Sequence, residues 1–268
     1  MVRVTTIPPG DAALAHHDYG SGYPVIFING LASAMDTWNP PVLKKISKHF
    51  RVIVFNNRGT GHSAISDGQF SVPLFAKDTA FLLDSLGISR AHVLGFSMGA
   101  CIAQELALAF PKKVNRLILV AGDCGGADAV RGSPDIFSSL TDKSGTMEEV
   151  AQRVFPLLFP PTWLATHDPF RFCPGATEIT SPENSTRQLA AFSSWRGSLS
   201  RLENIESSTL VITGDEDVVI PPENSRLLRC RIPHAKLVVF PGAGHGLMYQ
   251  CPNKFSQIVL TFLKCNEW

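Results

Sequence analysis

Six short apolar runs, separated by longer stretches with helical periodicity, constrain the fold of this chain more than any other feature. The runs occupy residues 25–28, 52–55, 91–94, 117–120, 210–213 and 237–240. Strands that are buried on both faces of a parallel sheet have continuous apolar sequences, and a helix usually connects two parallel strands. The sequence therefore predicts an α/β protein with a mostly parallel central sheet that is flanked by helices.

Two of the connecting stretches have the apolar periodicity of helices. Residues 73–86 place Leu74, Phe81 and Leu82 on one helical stripe, and Gly87 follows as a typical residue for a helix end. A second stripe ends before Pro111 and comprises Ala103, Leu106, Ala107 and Phe110. Both stretches are predicted to be helices that flank the sheet.

The alternation of strands and helices breaks after about residue 122 and resumes near residue 208. We interpret residues 122–207 as a helical cap, inserted into a core that residues 1–121 and 208–268 form. Its aromatic side chains are Phe155, Phe159, Trp163, Phe170, Phe172, Phe192 and Trp195. They are candidates for the wall of an apolar pocket, and we predict substrate contacts for Phe159, Trp163 and Trp195. The alternative is that these rings hold the cap together and against the sheet.

The charges of the chain nearly cancel, because 24 Lys and Arg stand against 23 Asp and Glu. The protein as a whole therefore has no strong electric field that would attract nucleic acid or an anionic membrane, and we expect a small, uncharged or weakly charged ligand.

The sequence has neither the apolar stretch of a secretory signal nor 18 consecutive apolar residues. A soluble, cytoplasmic protein is expected, and free thiols are favoured for its six cysteines, which lack CxxC and zinc-site spacings.

A candidate nucleophile lies directly after the predicted strand at residues 91–94. Residues 95–99 read Gly-Phe-Ser-Met-Gly and continue into a predicted helix. This G-x-S-x-G pattern is typical of a sharp strand-to-helix turn, in which glycines leave room for the backbone and the serine hydroxyl is exposed near the helix N-terminus. A Gly-Ser turn that only caps a helix is the alternative. The strand and helix on either side favour a nucleophile at Ser97.

A serine hydroxyl becomes a good nucleophile only when a base takes its proton. His245 lies in a glycine-rich loop after the last predicted strand, at the sheet edge where ligands bind in α/β proteins, and is the predicted base. The base needs an acid that fixes its tautomer. We predict Asp217 for this role and interpret Asp215 and Glu216 as turn formers. Asp123 is the other candidate, because it also follows a predicted strand.

Two backbone N–H groups should stabilise the oxygen that becomes negatively charged during acyl transfer. One is predicted at Met98, the residue after the nucleophile. The other is predicted at Leu31, in the loop after the strand at residues 25–28. The alternative for this loop is an ordinary glycine turn.

Taken in order, these motifs resemble those of the α/β-hydrolase superfamily. The matching segments are residues 27–31 with Trp38, 57–63, 95–99, 214–217 and 244–245. The resemblance implies an α/β-hydrolase fold with a nucleophile elbow and a catalytic triad of Ser97, Asp217 and His245, and it implies no metal or organic cofactor. Many members have His at the position of Asn29 and Asp at that of Asn57, so the oxyanion loop is expected to be arranged differently here.

Capped carboxylesterases and lactone hydrolases are among the similar proteins. We therefore expect a serine esterase that cleaves a small-molecule carboxylic ester or lactone through an acyl-enzyme on Ser97. Hydrolysis of a carbon–carbon bond and acyl transfer would use the same triad. A ligand receptor with slow turnover is a hypothesis of another class. Nothing in the sequence indicates a protein partner or an oligomeric state.

Overall fold

A computed structural model of the chain describes residues 3–7, 12–63, 68–142 and 144–265. Within them lie the strands β1 (Arg3–Ile7), β2 (Ala12–Tyr19), β3 (Pro24–Ile28), β4 (Arg51–Phe55), β5 (Ala91–Phe96), β6 (Val114–Val120), β7 (Ser208–Gly214) and β8 (Lys236–Phe240). They form one sheet in the order β1-β2-β4-β3-β5-β6-β7-β8. All pairs from β4 to β8 in this order are parallel, whereas β2 pairs with β1 and β4 in antiparallel fashion.

The six apolar runs are all strands, and the α/β fold predicted from them is confirmed. The sequence does not predict β1 and β2, because these strands lack a continuous apolar run. β2 contains His16 and Asp18, and the buried ring of His16 bonds through Nε2 to the Thr5 hydroxyl on β1 at 2.9 Å. Polar groups that pair across antiparallel strands leave no apolar signature in the sequence.

The helices are α1 (Pro40–Ile46), α2 (Val72–Ser85), α3 (Met98–Ala109), α4 (Pro134–Thr141), α5 (Met147–Leu158), α6 (Pro161–Leu164), α7 (Pro182–Ser193), α8 (Pro222–Arg231), α9 (Leu247–Gln250) and α10 (Pro252–Lys264). Both predicted helices are present as α2 and α3. The predicted stripe of α2 is only partly correct. Leu82 is buried, but Leu74 and Phe81 are half-buried, because α2 packs against both α3 and β1 and turns Val72 and Phe75 inward.

Alternate residues of each central strand contribute to two separate apolar clusters. On β3, Ile26 and Ile28 belong to the cluster that includes α2, α3 and α8. Val25 and Phe27 belong to the other, which includes α1 and α10. This period of two follows from the pleat of a strand, whose successive side chains point to opposite faces. The sheet is therefore covered on both faces.

The segment between β6 and β7 contains α4, α5, α6 and α7, and no strand of the sheet lies in its described residues. Its isolated bridge between Thr180 and Thr60 connects it to the loop after β4. The division into a core and a cap at residues 122–207 stays a prediction. We call residues 122–207 the inserted segment below.

No helix of the described ranges is both long and apolar enough to cross a bilayer. All six cysteines lie within these ranges and are free thiols.

A buried ion pair fixes the loop after β4 to α2. Arg58 donates from Nε to Asp78 Oδ2 at 2.9 Å and from Nη2 to Oδ1 at 2.7 Å. Only 1% of the Arg58 side chain and 4% of the Asp78 side chain are exposed. Two parallel hydrogen bonds between charged groups orient both planes, so this pair fixes the position of the loop on the helix.

Replacing Asp78 by Asn should lower the free energy of unfolding by about 3 kcal/mol, because the guanidinium stays buried beside a neutral amide. Urea denaturation of both proteins measures the change. Asp84→Asn is the matched control on the same helix, since Asp84 is exposed and pairs with Lys113 at the surface; it should cost less than about 1 kcal/mol. Equal losses in the two variants would contradict a structural role for the buried pair.

Candidate active site

Ser97 lies in the turn between β5 and α3 with a strained backbone. Its φ is 56° and its ψ is −124°, which few residues other than glycine adopt. A Cβ at Gly95 would lie 2.2 Å from the carbonyl oxygen of Gly99, and a Cβ at Gly99 would lie 2.1 Å from that of Ile28. The two glycines thus let the turn close tightly. The N–H of Ser97 donates to Val120 O at 2.9 Å and ties the turn to β6.

His245 and Asp217 form a buried hydrogen-bonded pair. His245 Nδ1 lies 2.8 Å from Asp217 Oδ2. Asp217 Oδ1 accepts from the backbone N–H groups of Val219 and Ile220, each at 2.9 Å. Because a carboxylate only accepts hydrogen bonds, Nδ1 carries the proton, and the neutral imidazole has its lone pair on Nε2.

Close packing of two loops brings this pair together. A Cβ at Gly214 would lie 2.0 Å from the carbonyl oxygen of Ala243. The loop after β7 also contacts the histidine loop through Glu216 N, which donates to Ala243 O at 3.0 Å. The carboxylate of Asp215 accepts from Gly242 N at 2.7 Å. The acids beside Asp217 therefore shape the turn and stay exposed.

Asp123, the other candidate acid, belongs to a different network. Its carboxylate accepts from Arg131 Nε at 2.7 Å and Nη2 at 3.0 Å, and from Gly125 N at 2.8 Å. The Arg131 guanidinium in turn lies over the Phe192 ring, 3.7 Å from its centroid. Within the described part of the chain Asp123 has no hydrogen bond to His245. Of these two described residues, Asp217 is the one that hydrogen-bonds to His245.

Ser97 and His245 both line a cavity of about 250 Å³. The inserted segment covers it with the aromatic rings of Phe137, Phe155 and Phe192, together with aliphatic side chains. The wall is therefore largely apolar, and a nucleophile and a base candidate share one cavity. Such a combination is typical of small-molecule sites.

The loop after β3 contains Leu31, the residue predicted to carry the second N–H donor. Leu31 lines the cavity, and Met98 is the first residue of α3. Across the described residues, neither backbone N–H donates a hydrogen bond to the protein. The first N–H groups of a helix lack partners within the helix. Leu31 is among the residues that line the cavity, Met98 directly follows the cavity residue Ser97, and the oxyanion role of both N–H groups stays a prediction.

The side chain of Asn29 holds this loop through three hydrogen bonds. Its Nδ2 donates to Ala34 O at 2.6 Å and to the Thr37 hydroxyl at 2.9 Å, while its Oδ1 accepts from Gly30 N at 2.9 Å. Asn57 Nδ2 donates to the Asn29 carbonyl at 3.2 Å. Asn29 and Asn57 therefore contact each other and stabilise one loop conformation.

Phe159, Trp163 and Trp195 are not among the residues that line this cavity, and their substrate contacts stay a prediction. Phe159 is buried and stacks on Trp163 with 4.6 Å between ring centroids. Trp195 is buried and donates from Nε1 to Glu105 Oε1 at 2.7 Å. These contacts pack the Phe159 and Trp163 rings against each other and tie Trp195 to α3.

Several groups near the cavity carry no sequence motif. Gln188 on α7 is fully buried; its Oε1 accepts from Ala32 N at 2.9 Å and its Nε2 donates to Arg58 O at 3.1 Å. Tyr249 donates its hydroxyl to Thr37 O at 2.7 Å, and burial raises its pKa. Burial also raises the pKa of the Cys173 thiol to about 12. Periodicity does not distinguish such residues from other polar positions.

Comparison with known proteins identifies the family. Residues 23–171 match the family model described as the alpha/beta hydrolase fold. The chain belongs to the α/β-hydrolase family. A protein named as a carbamate hydrolase from Azorhizobium caulinodans is 29% identical over 262 residues, which cover 96% of this chain and 97% of that protein.

Solved structures agree with this family assignment. A hydrolase from Pseudomonas aeruginosa has a TM-score of 0.82 and 29% identity, with 98% of each chain covered. A thermophilic esterase from Thermogutta terrifontis has a TM-score of 0.80 and 25% identity, again over 98% of each chain. The α/β-hydrolase fold that the sequence motifs imply is thus confirmed, and the chain is a hydrolase of this family.

Replacing Gly99 by Ala should lower the free energy of unfolding by at least about 2 kcal/mol, because the new Cβ overlaps the Ile28 carbonyl and the first turn of α3 must shift. Gly175→Ala is the control, since its Cβ would meet nothing within 4 Å. Chemical denaturation compares the two variants. A Gly99→Ala protein as stable as the control would show that the turn tolerates a side chain.

Proposed function

We propose that this α/β hydrolase cleaves carboxylic esters or lactones, with Ser97 as nucleophile, His245 as general base and Asp217 as the acid that orients the base. One observation carries the proposal. The strained Ser97 turn and a histidine whose Nδ1 is bonded to a buried carboxylate line the same cavity. Nucleophile, base and orienting acid are the three parts that acyl transfer requires.

In the first half of the reaction, Ser97 Oγ attacks the substrate carbonyl carbon and its proton passes to His245 Nε2. Asp217 keeps the proton on Nδ1, so that Nε2 can accept, and stabilises the imidazolium that forms. The carbonyl oxygen becomes negatively charged and accepts from the N–H groups of Leu31 and Met98. His245 then gives the proton to the leaving alkoxide, and the acyl group stays on Ser97.

In the second half, water takes the place of the alcohol. His245 Nε2 accepts a proton from the water as its oxygen attacks the acyl carbon. The tetrahedral intermediate again accepts from the two N–H groups, and collapses to release the carboxylic acid. The proton on Nε2 returns to Ser97 Oγ. The outcome is hydrolysis when water attacks the acyl-enzyme, and it would be acyl transfer if an alcohol or thiol attacked instead.

The cavity supports a small substrate with an apolar part. Its volume of about 250 Å³ and its cover of Phe137, Phe155 and Phe192 suit a short acyl or alcohol group. Support also comes from the esterase of Thermogutta terrifontis, which is 25% identical. The relative named as a carbamate hydrolase makes a carbamate ester the closest competing substrate, and the same residues would attack its carbonyl.

Replacing Ser97 by Ala should abolish labelling by a fluorophosphonate probe and reduce ester hydrolysis by a factor of about 10⁴ or more. The wild type should hydrolyse p-nitrophenyl esters with a maximum at one acyl length. Ser85→Ala, at the exposed end of α2, is the control and should keep full labelling. Wild-type protein that is folded but neither labelled nor active would contradict the proposal and favour a ligand receptor.

Replacing Asp217 by Asn should lower kcat by a factor of about 10⁴, because the amide no longer fixes the tautomer of His245. The change should appear in kcat more than in KM, since Asp217 lies behind the histidine and not in the cavity wall. Glu216→Gln removes a neighbouring but exposed carboxylate and serves as the control. If Asp123→Asn reduced kcat as strongly and Asp217→Asn did not, the assignment of the acid would be wrong.

A further inference from the structure

A carboxylate lies in the largely apolar wall of the cavity. Glu178 belongs to the irregular stretch of the inserted segment before α7 and lines the cavity together with Ser97 and His245. The proposed reaction does not use it. Neither does the sequence single it out, because no motif or periodic pattern includes this position.

The backbone and one carboxylate oxygen of Glu178 are held firmly. Its N–H donates to Asp36 Oδ2 at 2.9 Å. Its Oε2 accepts from Asn56 Nδ2 and, at 3.3 Å, from His62 N. A Cβ at Gly61 would lie 2.1 Å from this oxygen, so the glycine leaves the space that the carboxylate occupies. A group held in this way keeps its position before a ligand arrives.

The other oxygen of Glu178 is not satisfied in the same way. Throughout the described residues, no side chain or N–H donates to Oε1, and no Lys, Arg or His forms an ion pair with Glu178. The neighbouring polar groups of the wall are already bonded to the protein: the hydroxyl of Ser33 donates to Leu31 O and that of Thr37 to Ala34 O.

A bound substrate displaces water from the wall, and a carboxylate that loses water without gaining a donor is costly. A wholly apolar substrate would impose this cost on Glu178. A substrate with an ammonium group would replace the lost water by a charge-assisted hydrogen bond, which is about twice as strong as one between neutral groups.

We infer that Glu178 is a specificity-determining residue that binds an ammonium group of the substrate. The inference deepens the proposed function and rests on it for the reaction at Ser97. It narrows the substrate to esters whose acyl or alcohol part carries a primary amine. The rest of that part lies against the phenylalanine rings of the inserted segment.

Glu178 also connects the inserted segment to the loop after β4, and a purely structural role must be distinguished from recognition. Loss of a structural contact would affect every substrate alike. Loss of recognition affects only substrates with the ammonium group. Pairs of esters that differ in this group alone therefore separate the two roles.

The test uses ethyl esters of ω-amino acids, from 3-aminopropanoate to 6-aminohexanoate. Each is paired with the ester that has a methyl in place of the ammonium group. At the best chain length, the wild type should prefer the ammonium ester by at least about tenfold in kcat/KM. Glu178→Gln should remove this preference through a higher KM for the ammonium ester, with little change for the methyl ester.

Glu183→Gln is the matched control, because Glu183 lies in the same segment but is exposed at the start of α7 and does not line the cavity. It should keep the preference of the wild type. Thermal unfolding of both variants shows whether either change alters the fold. A wild type without the preference, or a Glu178→Gln protein that retains it, would overturn the inference.

Equilibrium binding to the Ser97→Ala protein separates this inference from the proposed reaction, because it requires no turnover. Calorimetry should show tighter binding of the ammonium ester than of its methyl partner, and Glu178→Gln on the same background should make the two equal. If the preference appears in binding while the wild type hydrolyses no ester, recognition by Glu178 stands and the proposed hydrolysis fails. Equal binding of both esters, or no detectable binding of the ammonium ester, rejects recognition.

Discussion

The close contact between the first turn of α3 and the end of β3 is the constraint on which the rest of the site depends. Because Gly99 has no side chain, the backbone of the turn approaches the carbonyl oxygens of Ile28 and Asn29 directly. Gly30 allows the same approach from the other side, since a Cβ there would lie 3.1 Å from Ser97 Cβ. The proposed nucleophile and the loop that carries Leu31 are therefore neighbours by backbone packing, and their relative position does not rely on flexible side chains.

The inserted segment completes the site through buried polar contacts, although its aromatic rings supply most of its bulk. Gln188 accepts from Ala32 N, directly after Leu31, and donates to the loop after β4. Asp123 holds Arg131, whose guanidinium lies over Phe192 in the cavity wall. The carboxylate after β6, which sequence position alone makes a candidate for the catalytic acid, thus contacts the cavity wall through Arg131. Buried ionic groups fixed in this way determine one arrangement of the segment over the sheet.

The parts of the structure that follow from local pattern were predictable, and those that follow from tertiary packing were not. Continuous apolar runs give the six parallel strands, and the glycine spacing around Ser97 gives the turn. The motif favours Asp217 over Asp123 as the acid. The physical reason lies in the sheet order, because β7, which Asp217 follows, is the neighbour of β8, which His245 follows. The sequence does not decide which aromatic rings reach the cavity, because a ring in an inserted segment has the same sequence signal whether it packs inward, as Phe159 does, or lines a cavity, as Phe155 does.

Net charge also constrains the ligand less than the sequence suggests. The formal charge of the chain is +1, so its far field neither attracts nor repels a small ion. A ligand in the cavity instead responds mainly to groups within a few ångströms, because solvent ions screen more distant exposed charges over about 8–10 Å. Charge–charge attraction is also stronger beside an apolar wall than in water. One carboxylate such as Glu178 can therefore dominate the electrostatics of the cavity in a nearly neutral protein. A nearly neutral protein therefore fits a ligand with few charges. The sign of a single charge on that ligand depends on the groups in the cavity wall.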